Sequence, residues 1–205
     1  MKLLGVTLDS NLTFRPHTIE VAKRCFSALA RLRRNAYFLP VKTKLMLVKS
    51  LVFSILEYCP ALQLGLSSEL KTKLSRCMNA ALRFVVGIKK SDHISPTYRR
   101  FKLLAYDVRI KYLTLRFLST MLKSRQPAYL ANYLKFKIPE RTGVRTSPLD
   151  LNVPSARIDF YIAAFRVGAL KLWNKLPTGI QACFARPCFG SKLYELLLDR
   201  PNYLD

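Results

Sequence analysis

The sequence predicts a mainly helical protein: a bundle of amphipathic helices, with a short strand in front and a small C-terminal appendage behind. Three observations carry this. From Pro16 onward, apolar residues recur at helical spacing in blocks that stop at Pro40, Pro60, Gly87 and Pro127. A strand-like run occurs at Lys2–Leu8 (KLLGVTL), and no second convincing strand follows in about a hundred residues. Half of the 205 residues are apolar, enough for a core.

Lys2–Leu8 ends in the turn residues Asp9, Ser10 and Asn11. A single strand has unpaired backbone groups, so its partners are expected upstream of Met1. The first helix runs from Pro16, suited to a first turn, to about Tyr37. A second spans Val41 to Tyr58, because Pro60 disfavours helix at Cys59. A third has Ser67 or Ser68 as its cap and stops at Gly87. A short helix follows Ser95-Pro96 up to Leu104, and a longer one runs from Asp107 as cap to Ser124. Ala128–Leu134 is a short helix or turn. Ile138–Arg157, with Pro139, Gly143, Pro148 and Pro154, reads as a connecting arm. Phe160–Asp205 holds Trp173 and ends in a helix at Ser191–Leu198.

Charge is the outlier. There are 35 Lys and Arg against 12 Asp and Glu, a formal +23. Such an excess repels itself unless a polyanion neutralises it. At about 100° per residue, the first helix places Ala22, Cys25, Phe26, Leu29, Leu32 and Ala36 on one side. Lys23, Arg24, Arg31 and Arg34 fall opposite. The third helix offers Arg76 and Arg83. In the Asp107 helix, Arg109, Arg116 and Lys123 recur every seven residues, roughly 10 Å apart along the axis. That spacing lets long side chains reach successive phosphates. A charged stripe opposite an apolar one is also what any surface helix carries. Sign separates the two readings: Glu20 is the one acid between Asn11 and Ser50, against nine basic residues.

Aromatic residues at helix positions, including Tyr37, Phe38, Phe53, Tyr58, Phe84, Phe117 and Trp173, read first as core. Tyr98 beside Arg99, Arg100 and Lys102 is the best candidate for stacking on a base.

No catalytic set is visible. Metal-dependent polymerases and nucleases need clustered carboxylates, and no two of these acids are adjacent in sequence. There is no phosphate-binding glycine loop, and His17 and His93 do not suggest a triad. Five scattered cysteines without a C-x-x-C pair argue for free thiols in a reducing compartment and against zinc. The expected cofactor and metal content is none. The greasiest stretch, Leu51–Leu66, is broken by Glu57, Pro60 and Gln63, so no membrane span is expected.

Several short motifs share one resemblance. Lys2-Leu3-Leu4-Gly5-Val6-Thr7-Leu8-Asp9, then Asn11-Leu12-Thr13-Phe14 and Pro16-His17, resembles the segment after the polymerase palm in non-LTR (LINE-type, Jockey-like) retrotransposon reverse transcriptases. Leu39-Pro40, Leu56-Glu57-Tyr58-Cys59-Pro60 and Leu172-Trp173-Asn174-Lys175-Leu176-Pro177 continue it, so it covers essentially the whole chain. Phe14 stands where the family often has Trp, and Ala61–Leu66 lacks the Trp often found there.

The resemblance implies residues 1–15 as a remnant of the palm and primer-grip region, with Leu4, Gly5 and Val6 nearest the primer grip. It implies a thumb-like helical domain at 16–137, an arm at 138–159 and a C-terminal unit at 160–205 carrying LWNKLP. The family's catalytic aspartates have no counterpart here. The expected function is therefore binding of template–primer, RNA or RNA–DNA hybrid without polymerase activity, inside the cell, in cytoplasm or nucleus. The upstream polymerase palm is a further expected partner. The alternatives are an incomplete gene model of an active reverse transcriptase, or a fragment co-opted to bind protein.

Overall fold

The computed structural model describes residues 1–137, 147–155, 157–158, 161 and 164–204. The chain is mainly helical, with a two-stranded antiparallel sheet at the N-terminus. It forms two compact units. One comprises Met1–Cys59 and Leu66–Asp107, the other Pro60–Gly65 and Val108–Asp205.

The first unit opens with a hairpin where the sequence suggests one strand. β1 (Lys2–Leu3) pairs with β2 (Val6–Thr7), with Lys2 opposite Thr7 and Leu3 opposite Val6. The turn needs positive φ at both central residues, and Leu4 (φ 47) and Gly5 (φ 82) supply it. The strand's partner is thus inside the same segment. Hydrogen bonds between Met1 and Leu8 extend the pairing.

α1 (Arg15–Arg34) is prepared by Asp9. Its carboxylate accepts from the Thr13 amide (2.9 Å), the Thr13 hydroxyl (2.7 Å) and the Phe14 amide (2.8 Å). The Thr13 hydroxyl above all holds the Asp9 carboxyl below its ordinary pKa. Val21, Ala22, Cys25, Ala28 and Leu29 form the buried face, and Arg31, Arg33 and Arg34 in the last turn complement the negative helix end. Phe26, assigned to the apolar face by periodicity, is 46% exposed.

After α1 comes a 3-10 turn, Ala36–Phe38. The expected helix to Tyr58 is interrupted: α2 (Val41–Val48) passes through a π-turn at Lys49–Phe53 into α3 (Ser54–Leu56). α5 (Ser68–Val86) packs on α1 and α2, burying Leu74, Cys77, Met78, Ala81 and Leu82. It ends as its sequence suggests, at Gly87 in the left-handed region. α6 covers Ser95–Arg100, four residues short of Leu104.

α4 (Pro60–Gln63) belongs to the second unit, as does α7 (Tyr106–Ser124) from Val108 onward. Asp107 lies inside the first turn of α7 rather than capping it. α8 (Ala128–Ala131), α9 (Phe165–Asn174), α10 (Thr178–Gln181) and α11 (Phe189–Asp199) complete the unit. Trp173, Leu115, Leu118, Leu151, Leu170 and Leu193 form its core. Of the expected arm at 138–159, residues 138–146, 156 and 159 lie outside the described residues. The described part is pinned: Leu151 bridges Phe136, and the Lys137 amide donates to the Asp150 carbonyl at 2.7 Å.

Candidate nucleic-acid interface

The motifs behind the resemblance turn out to be joints of the fold. Tyr58 packs its ring against Gly5 and donates its hydroxyl proton to the Leu4 carbonyl. His17 is buried, and its Nδ1 is 3.4 Å from the Thr7 amide that points at it. An acceptor there requires neutral imidazole, and burial lowers the His17 pKa in the same direction. Glu20 accepts from the Thr7 hydroxyl and the Lys2 ammonium, which hold its pKa down. Leu4, Gly5 and Val6 are therefore the turn and second strand of a hairpin latched onto α1. Leu4 is 84% exposed, Val6 buried.

The Trp-Asn pair of LWNKLP clamps the end of the arm. Trp173 Nε1 donates to the Leu149 carbonyl (2.9 Å), and Asn174 holds both backbone groups of Leu151, at 2.8 and 2.9 Å. Buried Gln181 donates to Asp150 and to the Trp173 carbonyl.

On α1, Lys23, Arg24, Arg31 and Arg34 are all exposed and none forms a salt bridge to a described carboxylate, although Arg24 helps lower the Glu20 pKa from one turn away. Arg76, Arg99 and Arg100 are exposed as well, with Arg100 lying over the Phe101 ring. Arg83 differs. It is half-buried, its Nη2 donates to the Asp92 carbonyl at 3.1 Å, and its Nε is enclosed without a partner. It braces the loop after α5, so its position on the basic stripe does not translate into an open cation.

In the second unit the α7 stripe divides. Arg109 is half-buried, whereas Arg116 and Lys123 are exposed. These two line a cleft of about 250 Å³ together with Arg186, Pro187 and Gly190, and no described carboxylate lines it. Arg116 lies over Tyr112, and its Nε is 3.4 Å from where Gly190 would carry a β-carbon. Helical periodicity alone could not bring Arg186 to this place, because it lies far along the chain.

The aromatic assignments divide: Phe53, Phe84 and Trp173 are buried as expected, whereas Tyr58 is half-exposed and four others depart from their assigned places. Tyr98, the stacking candidate, is turned inward: its hydroxyl donates to Asn79 at 2.7 Å and burial raises its pKa. Tyr37 and Phe38, assigned to the core, are 94% and 80% exposed. Phe117 is also exposed, beside Phe165. One signal for Tyr37 and Phe38 was present in the sequence: they precede Pro40 at a corner between helices, flanked by cations and without an acid.

All five cysteines are free, and burial raises Cys25 to about 12 and Cys77 to about 11. Among the described residues no cluster of His, Cys, Asp or Glu is arranged to hold a metal ion, and no helix is long and apolar enough to cross a membrane. Comparison with protein-family models, curated proteins and solved structures finds no match for the chain.

Proposed function

We propose that this protein is a non-catalytic nucleic-acid-binding module of reverse-transcriptase type, gripping RNA or RNA–DNA hybrid through its phosphates. The carrying observation is the outer face of α1, where Lys23, Arg24, Arg31 and Arg34 stand exposed with no salt bridge to a described carboxylate. Cations held this way gain most from a polyanion, because binding releases its condensed counterions. Arg116, Lys123 and Arg186 around their cleft give the second unit a similar set of cations. The retrotransposon parentage, and with it a polymerase palm as partner, rests on the sequence motifs. An intracellular setting, cytoplasmic or nuclear, suits five free thiols.

The test is binding of a labelled RNA–DNA hybrid across a series of salt concentrations. The log–log slope should be steep, about −0.7 to −0.9 for each phosphate engaged. Reversing the charges of Lys23, Arg24, Arg31 and Arg34 together should flatten it. An unchanged slope removes α1 from the interface, and no binding at low salt defeats the whole reading. Primer extension by the purified chain would contradict the non-catalytic part. Protein association is the second reading, favoured by the exposure of Met46 and Leu51.

A further inference from the structure

Resting on the nucleic-acid reading above, we propose that the Tyr37–Phe38 corner is a stacking site for unpaired nucleobases, which makes single-stranded RNA or DNA a ligand of the first unit. Tyr and Phe ordinarily bury most of their surface, yet these two rings are 94% and 80% exposed. They stand edge to face, with centroids 5.4 Å apart and planes at 89°, so flat ring surface stays open to solvent.

The backbone beneath them is organised. Ala36–Phe38 is a 3-10 turn, with the Phe38 amide bonded to the Asn35 carbonyl and the Leu39 amide to that of Ala36, both at 3.3 Å. Helices α1 and α2 leave it on either side, so the corner is positioned before any ligand arrives. Little ordering entropy then opposes binding.

Charge identifies the occupant. Arg33 precedes Tyr37 by four positions and Lys42 follows Phe38 by four, with Arg31 and Arg34 in the same helix end. From Val21 to Leu56 the sequence holds no acid. The complementary partner offers flat π-faces and a negative charge at each repeat, which is the chemistry of a single strand. A bilayer would call for a broader aliphatic surface, and the Leu39 side chain next to the rings is half-buried.

The experiment uses the full chain, three labelled nucleic-acid probes (a single-stranded RNA, an abasic strand of equal length, and an RNA–DNA hybrid) and, separately, anionic phospholipid vesicles. Tyr37→Ala with Phe38→Ala is compared with the ring-preserving swap Tyr37→Phe with Phe38→Tyr. Both variants change exposed side chains, so circular dichroism should report the same helical content. The alanine pair should weaken single-strand binding on the order of tenfold per ring, at an unchanged salt slope. It should leave the abasic strand and the hybrid nearly unaffected, and the swap should retain affinity. Equal loss on all three probes, or no loss on single strand while the hybrid still binds with a steep slope, overturns stacking and leaves the phosphate reading standing. Wild-type protein that binds no probe at low salt overturns both. Loss of binding to anionic phospholipid vesicles, with single-strand affinity intact, would assign the corner to a membrane and overturn the proposal.

Discussion

The ring of Tyr58 lies 3.7 Å from the point where Gly5 would carry a β-carbon, and its hydroxyl bonds the carbonyl of Leu4. Two motifs more than fifty residues apart are joined there, the L-G-V turn and the E-Y-C-P helix end. Space is not what Gly5→Ala would violate, since 3.7 Å is an ordinary van der Waals separation. The cost lies in φ +82, which L side chains rarely adopt. Gly5→Ala should destabilise by about 1–2 kcal/mol, and Tyr58→Phe by about 1 kcal/mol through the missing hydrogen bond. Denaturant midpoints measure both. A neutral Gly5→Ala would mean the turn is not held as described.

Acid should loosen the same latch. His17 has its pKa lowered from 6.5 by burial, with Glu20 opposing and Arg24 and Lys2 adding to the shift. The unfolded chain therefore takes up the proton first as pH falls. Stability from this group is complete above 6.5 and declines as pH drops below it towards the folded-state pKa. His17→Gln should flatten stability against pH in that interval. Identical profiles for wild type and His17→Gln would refute the assignment.

Asn174 should matter more than a polar residue near a surface usually does. Both of its hydrogen bonds go to the backbone of fully buried Leu151. Asn174→Ala leaves that amide and carbonyl without partners, for a destabilisation of about 2–3 kcal/mol. Asn174→Asp keeps the acceptor for the Leu151 amide but sets its second carboxylate oxygen against the Leu151 carbonyl, so it should also destabilise at neutral pH. Hydrogen exchange at the Leu151 amide would report the clamp directly, with the alanine variant exchanging fastest.

Cations on the predicted stripes and around the cleft should fall into two groups. Arg83→Ala gives up the bond to the Asp92 carbonyl, so it should lower the unfolding midpoint while leaving the salt slope of nucleic-acid binding nearly unchanged. Arg116, Lys123 and Arg186, exposed around one cleft, should behave the opposite way when reversed together. The slope should then fall by nearly one unit for every phosphate these side chains no longer neutralise, with little change in stability. If Arg83 alone moved the slope as much as these three, the division would fail.

Helix-stop chemistry in this chain is local, so it was legible. Pro40 and Gly87 act through their own backbone angles, one at the start of α2 and the other at the end of α5, while Ser67 stands at the N-terminus of α5 without a side-chain capping bond. The π-turn at Lys49–Phe53 was not legible, because nothing in KSLVF breaks the helical period. The hairpin was missed for another reason: its turn needs positive φ at Leu4, and leucine does not advertise that conformation.

By itself the sequence determined a mainly helical chain with strongly basic helix faces, since periodicity, stop residues and net charge are properties of neighbours along the chain. Which cations and rings face solvent was decided only by tertiary packing. Arg83 and Tyr98 turn inward to Asp92 and Asn79, while Tyr37 and Phe38 are left outside at a corner that no other element covers among the described residues. Burial depends on what arrives from distant parts of the chain, and a helical wheel holds no term for that.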